Sequence, residues 1–288
     1  MIDISHGDSL VYLNGEYLPL AEAKISVLDR GFIFGDGIYE VVPVYNGKPF
    51  RFDQHVARLQ RSLAAIGLET GKSAEDWIAL MSAMIERSPW PYHMVYLQVT
   101  RGVAKRDHGF PNPPVAPTIF MMNTPFQRPS AEKLAKGLST IAMDDLRWLH
   151  CDIKTTSLLG NVLAKQYALS KGVDDVIMFR NGFLSEASSS NIWLVKDGKV
   201  AAPLRNNLIL EGVRYGFIEQ LCQEEGIAFE SRNITEDEIA EADEILITAA
   251  TKEVQAITSF NGQPVGDGKP GPVFWTLRKA YDRVLEQL

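Results

Sequence analysis

The chain has 288 residues, 45% hydrophobic and 23% charged, the balance of an ordinary soluble globular protein. That length is long for one domain and short for three, so two lobes are expected. A net charge of -7 argues against a broad nucleic-acid surface, which needs an excess of Lys and Arg on one face. No apolar run nears the ~20 residues that span a bilayer, and residues 1–15 lack the basic start and apolar stretch of a signal peptide. Cys151 and Cys222 make no disulfide framework and suit a reducing cytoplasm. The histidines are scattered, without the spacing of a metal site.

In chain order, residues 10–20 place Asn14-Gly15 between short apolar stretches, which predicts a hairpin. Residues 38–45 read as a strand with Asn46-Gly47 as its turn. Phe52, Val56, Leu59, Leu63 and Ile66 then recur at helical spacing, with Asp53 as the expected N-cap. A second helix is predicted over 73–88, opened by a capping box of Ser73 and Asp76. Strands follow at 94–100 and 118–122. The polar stretch 123–130, with Pro125 and Pro129, is the expected linker. It separates an N-terminal α/β domain, 1–122, from a C-terminal α/β domain, 131–288. Within the second, the pattern predicts a strand at 138–143, a helix over 157–171 and a hairpin of 176–179 with 183–188 around Asn181-Gly182. A strand at 192–195, a helix over 213–225, a strand at 244–248 and a closing helix over 274–288 complete it. The sum is an α/β chain of the α+β type, in two domains with mixed sheets.

Four features carry chemistry. Lys154 stands between a predicted short strand and a predicted buried helix. Desolvation disfavours a charged amine, and a neutral amine is what a Schiff base requires. Taken alone, a lysine beside a turn is usually a surface residue. The run Ser185-Glu186-Ala187-Ser188-Ser189-Ser190-Asn191 offers one carboxylate and several small donors. A carboxylate beside a pyridine nitrogen keeps it protonated and makes the ring an electron sink. The plain alternative is a polar loop. Gly212 precedes a helix whose first N–H groups suit a phosphate, with Arg58 as a possible countercharge from the first lobe. An ordinary loop glycine and a solvated arginine are the alternatives. Residues 101–110, R-G-V-A-K-R-D-H-G-F, are basic in an acidic chain and suit a carboxylate, or simply form a basic surface loop.

As a set, these features resemble the fold-type IV pyridoxal-phosphate enzymes over almost the whole chain. That group includes D-amino-acid transaminases, branched-chain aminotransferases and 4-amino-4-deoxychorismate lyases. The resemblance rests on D-R-G-F-I-F-G-D-G-I-Y-E at 29–40, H-V-A-R-L at 55–59 and W-L-H-C-D-I-K at 148–154. N-V-L-A-K-Q at 161–166 and S-E-A-S-S-S-N at 185–191 extend it. It implies pyridoxal 5′-phosphate as cofactor, with Lys154, in the C-terminal domain, as the Schiff-base lysine and proton shuttle. It implies Glu186 as partner of the pyridine nitrogen and Leu210 as the residue packed on the ring. Arg58, Ser188, Ser189, Ser190, Gly212 and the backbone of Val213 and Arg214 would anchor the phosphate, with Ala250 beside them.

Within the family the sequence is most similar to D-amino-acid transaminases. Their substrate-carboxylate trap is a tyrosine with an R-x-H pair, here Tyr39, Arg106 and His108. In that subgroup the pair comes from a neighbouring subunit, which implies a homodimer. The implied reaction is ping-pong transamination between D-alanine or D-glutamate and 2-oxo acids. The alternatives within the fold are aminodeoxychorismate lyase and branched-chain L-amino-acid aminotransferase; a non-catalytic cofactor-binding dimer is a third. Three departures stand out. Gly212-Val213-Arg214-Tyr215 has Arg214 where a hydroxyl is expected and Tyr215 where an arginine is expected. Thr248-Ala249-Ala250-Thr251 has alanines where relatives offer hydroxyls. Backbone N–H groups are expected to bind there instead, with the Arg214 side chain turned toward the active-site mouth.

Overall fold

The computed structural model describes residues 9–288. Its contacts divide the chain into unit 1, Met1–Gln127 with Ile153–Leu158, and unit 2, Arg128–Asp152 with Leu159–Leu288.

Unit 1 opens with strands β1 (Leu10–Leu13) and β2 (Glu16–Pro19). Asn14 and Gly15 between them both take positive φ, 51° and 106°, as a tight hairpin turn demands. A 3-10 turn, Leu20–Glu22, leads toward a short helix, α1 (Arg30–Phe34). Asp29 caps α1 by accepting from the Gly31 N–H, and Gly35 closes it in the left-handed region at φ 67°. The long strand β3 (Gly37–Tyr45) turns through Asn46-Gly47 into β4 (Lys48–Pro49). Helices α2 (Phe52–Ala65) and α3 (Ala74–Glu86) and strands β5 (Tyr92–Thr100) and β6 (Thr118–Pro125) complete the unit. The sheet runs β2-β1-β6-β5-β3-β4, and each of its pairs is antiparallel.

Val56, Leu59 and Leu63 of α2 and Trp77, Met81 and Met84 of α3 pack on Val42, Val95, Leu97 and Met121 of that sheet. Each such side chain contributes roughly 1.5–3 kcal/mol on burial. The buried face of α2 also holds His55, Arg58 and Ser62, which an apolar stripe would not predict. The helix begins ahead of its expected cap: Arg51, at φ 52°, is the N-cap, and Asp53 lies in the first turn. There its negative charge still favours the helix dipole. The Ser73–Asp76 capping box forms as expected.

Unit 2 begins with α4 (Ala131–Lys136) and β7 (Leu138–Asp144). Then come α5 (Leu159–Ser170), β8 (Asp175–Arg180), β9 (Phe183–Ala187), β10 (Asn191–Lys196) and β11 (Lys199–Ala202). Next are α6 (Val213–Glu224), β12 (Phe229–Ser231), α7 (Glu236–Ala240) and β13 (Glu244–Ala249). β14 (Glu253–Phe260), β15 (Gln263–Pro264) and α8 (Pro272–Glu286) end the chain. The main path of the sheet is β12-β11-β10-β13-β14-β7-β8-β9, with β15 beside β14. Parallel pairs β14–β7, β7–β8 and β11–β12 sit among antiparallel ones, so the mixing of strand directions belongs to this unit.

Three expectations change. Asn123–Pro125 is not linker but the end of β6, where the Asn123 amide donates to the Met84 carbonyl at 2.6 Å. Lys154 belongs to unit 1 rather than the C-terminal unit. Thr155 bridges to Ile38, and the Tyr39 N–H donates to the Lys154 carbonyl at 3.0 Å, which binds the segment to β3. Finally, the residues before Lys154 form a turn rather than a strand, and α5 buries only Ala164 and Ala168. Leu159, Val162 and Leu163 of α5 are exposed. No helix among the described residues is long and apolar enough to cross a membrane.

Candidate active site

The Lys154 segment is held by small hydroxyl residues that bond back to neighbouring carbonyls. Thr155 Oγ1 donates to Gly37 O at 3.1 Å, Thr156 Oγ1 to Gly35 O at 2.9 Å, and Ser157 Oγ to Gly35 O at 3.1 Å. The approach is close: a Cβ on Gly35 would lie 2.5 Å from Ser157 Oγ, and the residue is already at φ +67°. The Lys154 N–H donates to Ser62 Oγ of α2 at 3.3 Å. From this fixed backbone the half-buried side chain lies over the Tyr39 ring, Nζ 3.9 Å from its centroid. Tyr39 is braced in turn by Tyr96, at 5.8 Å between ring centres.

Arg58 makes a two-pronged bond to Glu40 of β3, Nε to Oε1 at 2.7 Å and Nη2 to Oε2 at 2.8 Å. His55 Nδ1 lies 2.8 Å from Glu40 Oε2. Burial alone would raise the Glu40 carboxyl, but the charge and bonds of Arg58, with His55, hold it well below the usual carboxylate range. Glu40 ends the 29–40 motif, yet no feature of the sequence assigns it a role. Its work is to fix the Arg58 fork. Elsewhere in unit 1, Arg106 and His108 meet at one side chain, Phe34.

In unit 2, Glu186 sits buried on β9. Arg147 Nη1 donates to its Oε1, and Leu210 N donates to Oε2 at 3.2 Å. Arg147 also forks onto Asp145, Nε to Oδ1 at 2.9 Å and Nη2 to Oδ2 at 2.8 Å, and Arg180 lies 3.1 Å from the same Asp145. Burial pushes the Glu186 carboxyl up, and Arg147 pulls it partly back. Arg147 is the site residue that sequence reasoning missed; its only signal is an Asp-x-Arg step just ahead of the 148–154 motif.

The turn after Glu186 is tied down as well. Ser188 N donates to Asp175 Oδ1 at 3.3 Å, Asn161 Nδ2 to Ser188 O at 2.7 Å, and Lys252 Nζ to Ser190 Oγ at 2.9 Å. Ser189 is exposed. Gly212 is the N-cap of α6, without a side-chain cap, and a Cβ there would lie 2.3 Å from Asn191 Oδ1. A side chain there would press on Asn191, and without a side-chain cap the helix start suits an anion. Val213 starts the helix.

A family model described as "Amino-transferase class IV" matches residues 37–260. The chain belongs to the class IV aminotransferases. It is 39% identical over 276 residues to the D-alanine aminotransferase of Staphylococcus aureus (strain MSSA476), covering 96% of this chain and 98% of that one. It is 38% identical over 270 residues to the D-alanine aminotransferase of Bacillus licheniformis, covering 94% and 95%. Among solved structures, the branched-chain amino acid aminotransferase of Escherichia coli superposes with a TM-score of 0.91 at 21% identity, covering 96% and 95%. At that identity the likeness speaks for the shared two-domain fold.

This class IV aminotransferase departs from the expected direction of Arg214. The guanidinium does not turn to a mouth but is buried. Its Nε donates to Tyr281 Oη of α8 at 3.0 Å and its Nη2 to Ala250 O at 3.0 Å. The cation therefore ties the start of α6 to the β13–β14 turn. Ala250 is engaged through its carbonyl, in keeping with a position where a side-chain hydroxyl is missing.

Proposed function

We propose that this aminotransferase exchanges amino groups between D-amino acids, of the D-alanine and D-glutamate type, and 2-oxo acids, with pyridoxal 5′-phosphate as cofactor. The observation that carries the reading is the pairing of Arg106 with His108 on Phe34, in a chain 38–39% identical to D-alanine aminotransferases over nearly its full length. The residues fit the cofactor: a lysine on a fixed backbone, a buried carboxyl held by Arg147, and a helix start without a side-chain cap behind a glycine whose Cβ would press on Asn191.

Lys154 Nζ holds the cofactor between turnovers. Once free, the Lys154 amine would take the α-proton of the bound substrate and hand it on. Glu186 keeps a proton at the pyridine nitrogen, and Arg147 keeps Glu186 in place. When bound, the cofactor would supply an electron sink for the pair left at the α-carbon. Arg58, Ser188, Ser189, Ser190, Gly212, Val213, Arg214 and Ala250 bind the phosphate, the last three through main-chain groups, and Leu210 packs on the ring. Tyr39, Arg106 and His108 hold the substrate carboxylate.

The enzyme works as a homodimer in which Arg106 and His108 serve the neighbouring copy. Exposed apolar side chains such as Val27 (71%), Phe32 (67%) and Leu159 (71%) are the kind of surface a second copy covers. Light scattering that returns a monomer removes this part. The cytoplasm suits two cysteines that are both free and buried. The activity is tested by offering paired D- and L-amino acids with pyruvate and 2-oxoglutarate. Transfer from D-alanine and D-glutamate supports it. Transfer from L-leucine or L-valine favours the branched-chain reading, and pyruvate released from aminodeoxychorismate without an acceptor favours the lyase.

A further inference from the structure

Residues 101–110 have no helix or extended strand, and Arg106, Asp107, His108, Gly109 and Phe110 are all exposed. Exposed loop side chains are ordinarily mobile and lose much entropy when they grip a ligand. This loop is anchored through its main chain instead. Arg30, only 3% exposed, sends Nη1 to Asp107 O at 2.6 Å and to Gly109 O at 3.2 Å, and Nη2 to His108 O at 3.4 Å. Three successive carbonyls thus converge on one guanidinium, which curls the backbone around it. Arg30 cannot swing away, because its Nε donates to Asp36 Oδ2 at 2.7 Å.

The same Asp36 oxygen takes Arg101 Nε at 2.8 Å. Arg101 continues to Gly67 O at 3.0 Å and Ile66 O at 2.7 Å, and its Cζ lies 3.6 Å from the centre of the Phe110 ring. One carboxylate therefore fixes both ends of the loop. Burial alone would raise Asp36, but the bonds and charges of Arg101 and Arg30 keep it below the usual range, so it stays charged at neutral pH. The Arg-x-His spacing follows from this frame. With the backbone of 107–109 curled on Arg30, both side chains reach Phe34: Arg106 Cζ is 5.5 Å from its ring centre and the His108 ring is 5.4 Å away. Arg30 Cζ lies 4.9 Å from the same ring.

We propose that Arg30 is a positioning residue for the substrate-carboxylate pair, acting through the carbonyls of 107–109, and that Phe34 is the platform on which Arg106 and His108 are set. The inference rests on the proposed role of that pair. Neither Arg30 nor Phe34 touches the reacting atoms; their effect is on where the arginine and histidine side chains wait for an anion.

The test compares Arg30→Lys, Phe34→Leu and Arg106→Ala with the wild type. It reads KM and kcat for D-alanine and competitive inhibition by propionate, a carboxylate that cannot react. Misplacing a binding group by about an ångström costs up to 100-fold. Arg30→Lys and Phe34→Leu should therefore each raise KM and the propionate inhibition constant roughly 10-fold or more, with kcat at saturation changed far less. The double variant Arg30→Lys/Arg106→Ala should bind propionate about as weakly as Arg106→Ala alone. If Arg106→Ala loses propionate while both other variants keep wild-type values, the positioning role is wrong and the trap stands. If the losses simply multiply in the double variant, Arg30 does not act through the pair. If Arg106→Ala itself changes nothing, trap and positioning fall together. Phe34→Leu keeps the Arg30–Asp36 bond, so the question is answered even if Arg30→Lys folds poorly.

Discussion

Arg147 is gripped by Asp145 on one side and bonds Glu186 on the other, so the carboxylate of β9 is held by a cation that is itself held. Removing the outer member tests the arrangement. Burial alone would raise the Asp145 carboxyl, but the bonds and charge of Arg147 outweigh it and bring it from 3.8 down to about 2. A lowered carboxyl stabilises the fold above its unfolded value and loses that contribution as pH falls through its folded value. Asp145→Asn should thus cost about 2 kcal/mol near neutrality. Urea titrations should show the gap to wild type closing between pH 4 and 2. A gap independent of pH would mean that this charge does not anchor Arg147.

Glu186→Gln removes the carboxyl proposed to face the ring nitrogen but leaves the proposed phosphate anchors. The variant should still bind cofactor, with proton transfer at the substrate slowed by several orders of magnitude. Single-turnover rates equal to wild type would remove Glu186 from the electronic role.

Arg214→Thr introduces the hydroxyl that the family resemblance implies at this position, but withdraws a buried guanidinium from Tyr281 and Ala250. Breaking a buried charged network costs about 3–5 kcal/mol, and a hydrogen bond to a charged group about 1.5–3. The variant should lose stability of that order in urea while its affinity for the cofactor changes little. A large loss of cofactor with stability intact would instead make the side chain a phosphate ligand.

The covalent link is open to direct chemistry. Borohydride reduction of the holoenzyme followed by peptide mapping should place the label on Lys154 alone, and Lys154→Ala should lose the absorbance of the lysine-bound cofactor. A label on Lys165 or Lys171 would overturn the assignment.

What the sequence makes legible is whatever repeats or turns locally. Asn14-Gly15 and Asn46-Gly47 forecast their hairpins, and the apolar spacing of α2 and the Ser73 cap forecast two helices. Five-residue α1 is too short to show a period, and β14 is buried on both faces at its start, so it does not alternate. The apolar residues of α5 read as core in the sequence, but periodicity reports a face that wants covering and not what covers it. Lys154, Glu186 and the Arg106–His108 pair stand out through motifs. The roles of Glu40, Arg147 and Arg30 do not, even where the residue lies in the 29–40 motif, because their partners lie 18, 39 and 77 positions away and meet them only through sheet register and loop closure.

If, as proposed, Tyr39, Arg106 and His108 fix the carboxylate and the cofactor fixes the amine, only one enantiomer presents its α-hydrogen to Lys154. Stopped-flow absorbance of the bound cofactor, after mixing the holoenzyme with D-alanine or L-alanine and no acceptor, reads that step alone. The account predicts rapid conversion with D-alanine and little with L-alanine, and a loss of about 1.5–3 kcal/mol in kcat/KM for D-alanine in Arg106→Ala. Equal or faster conversion with L-alanine, or an Arg106→Ala variant as fast as wild type, would contradict it.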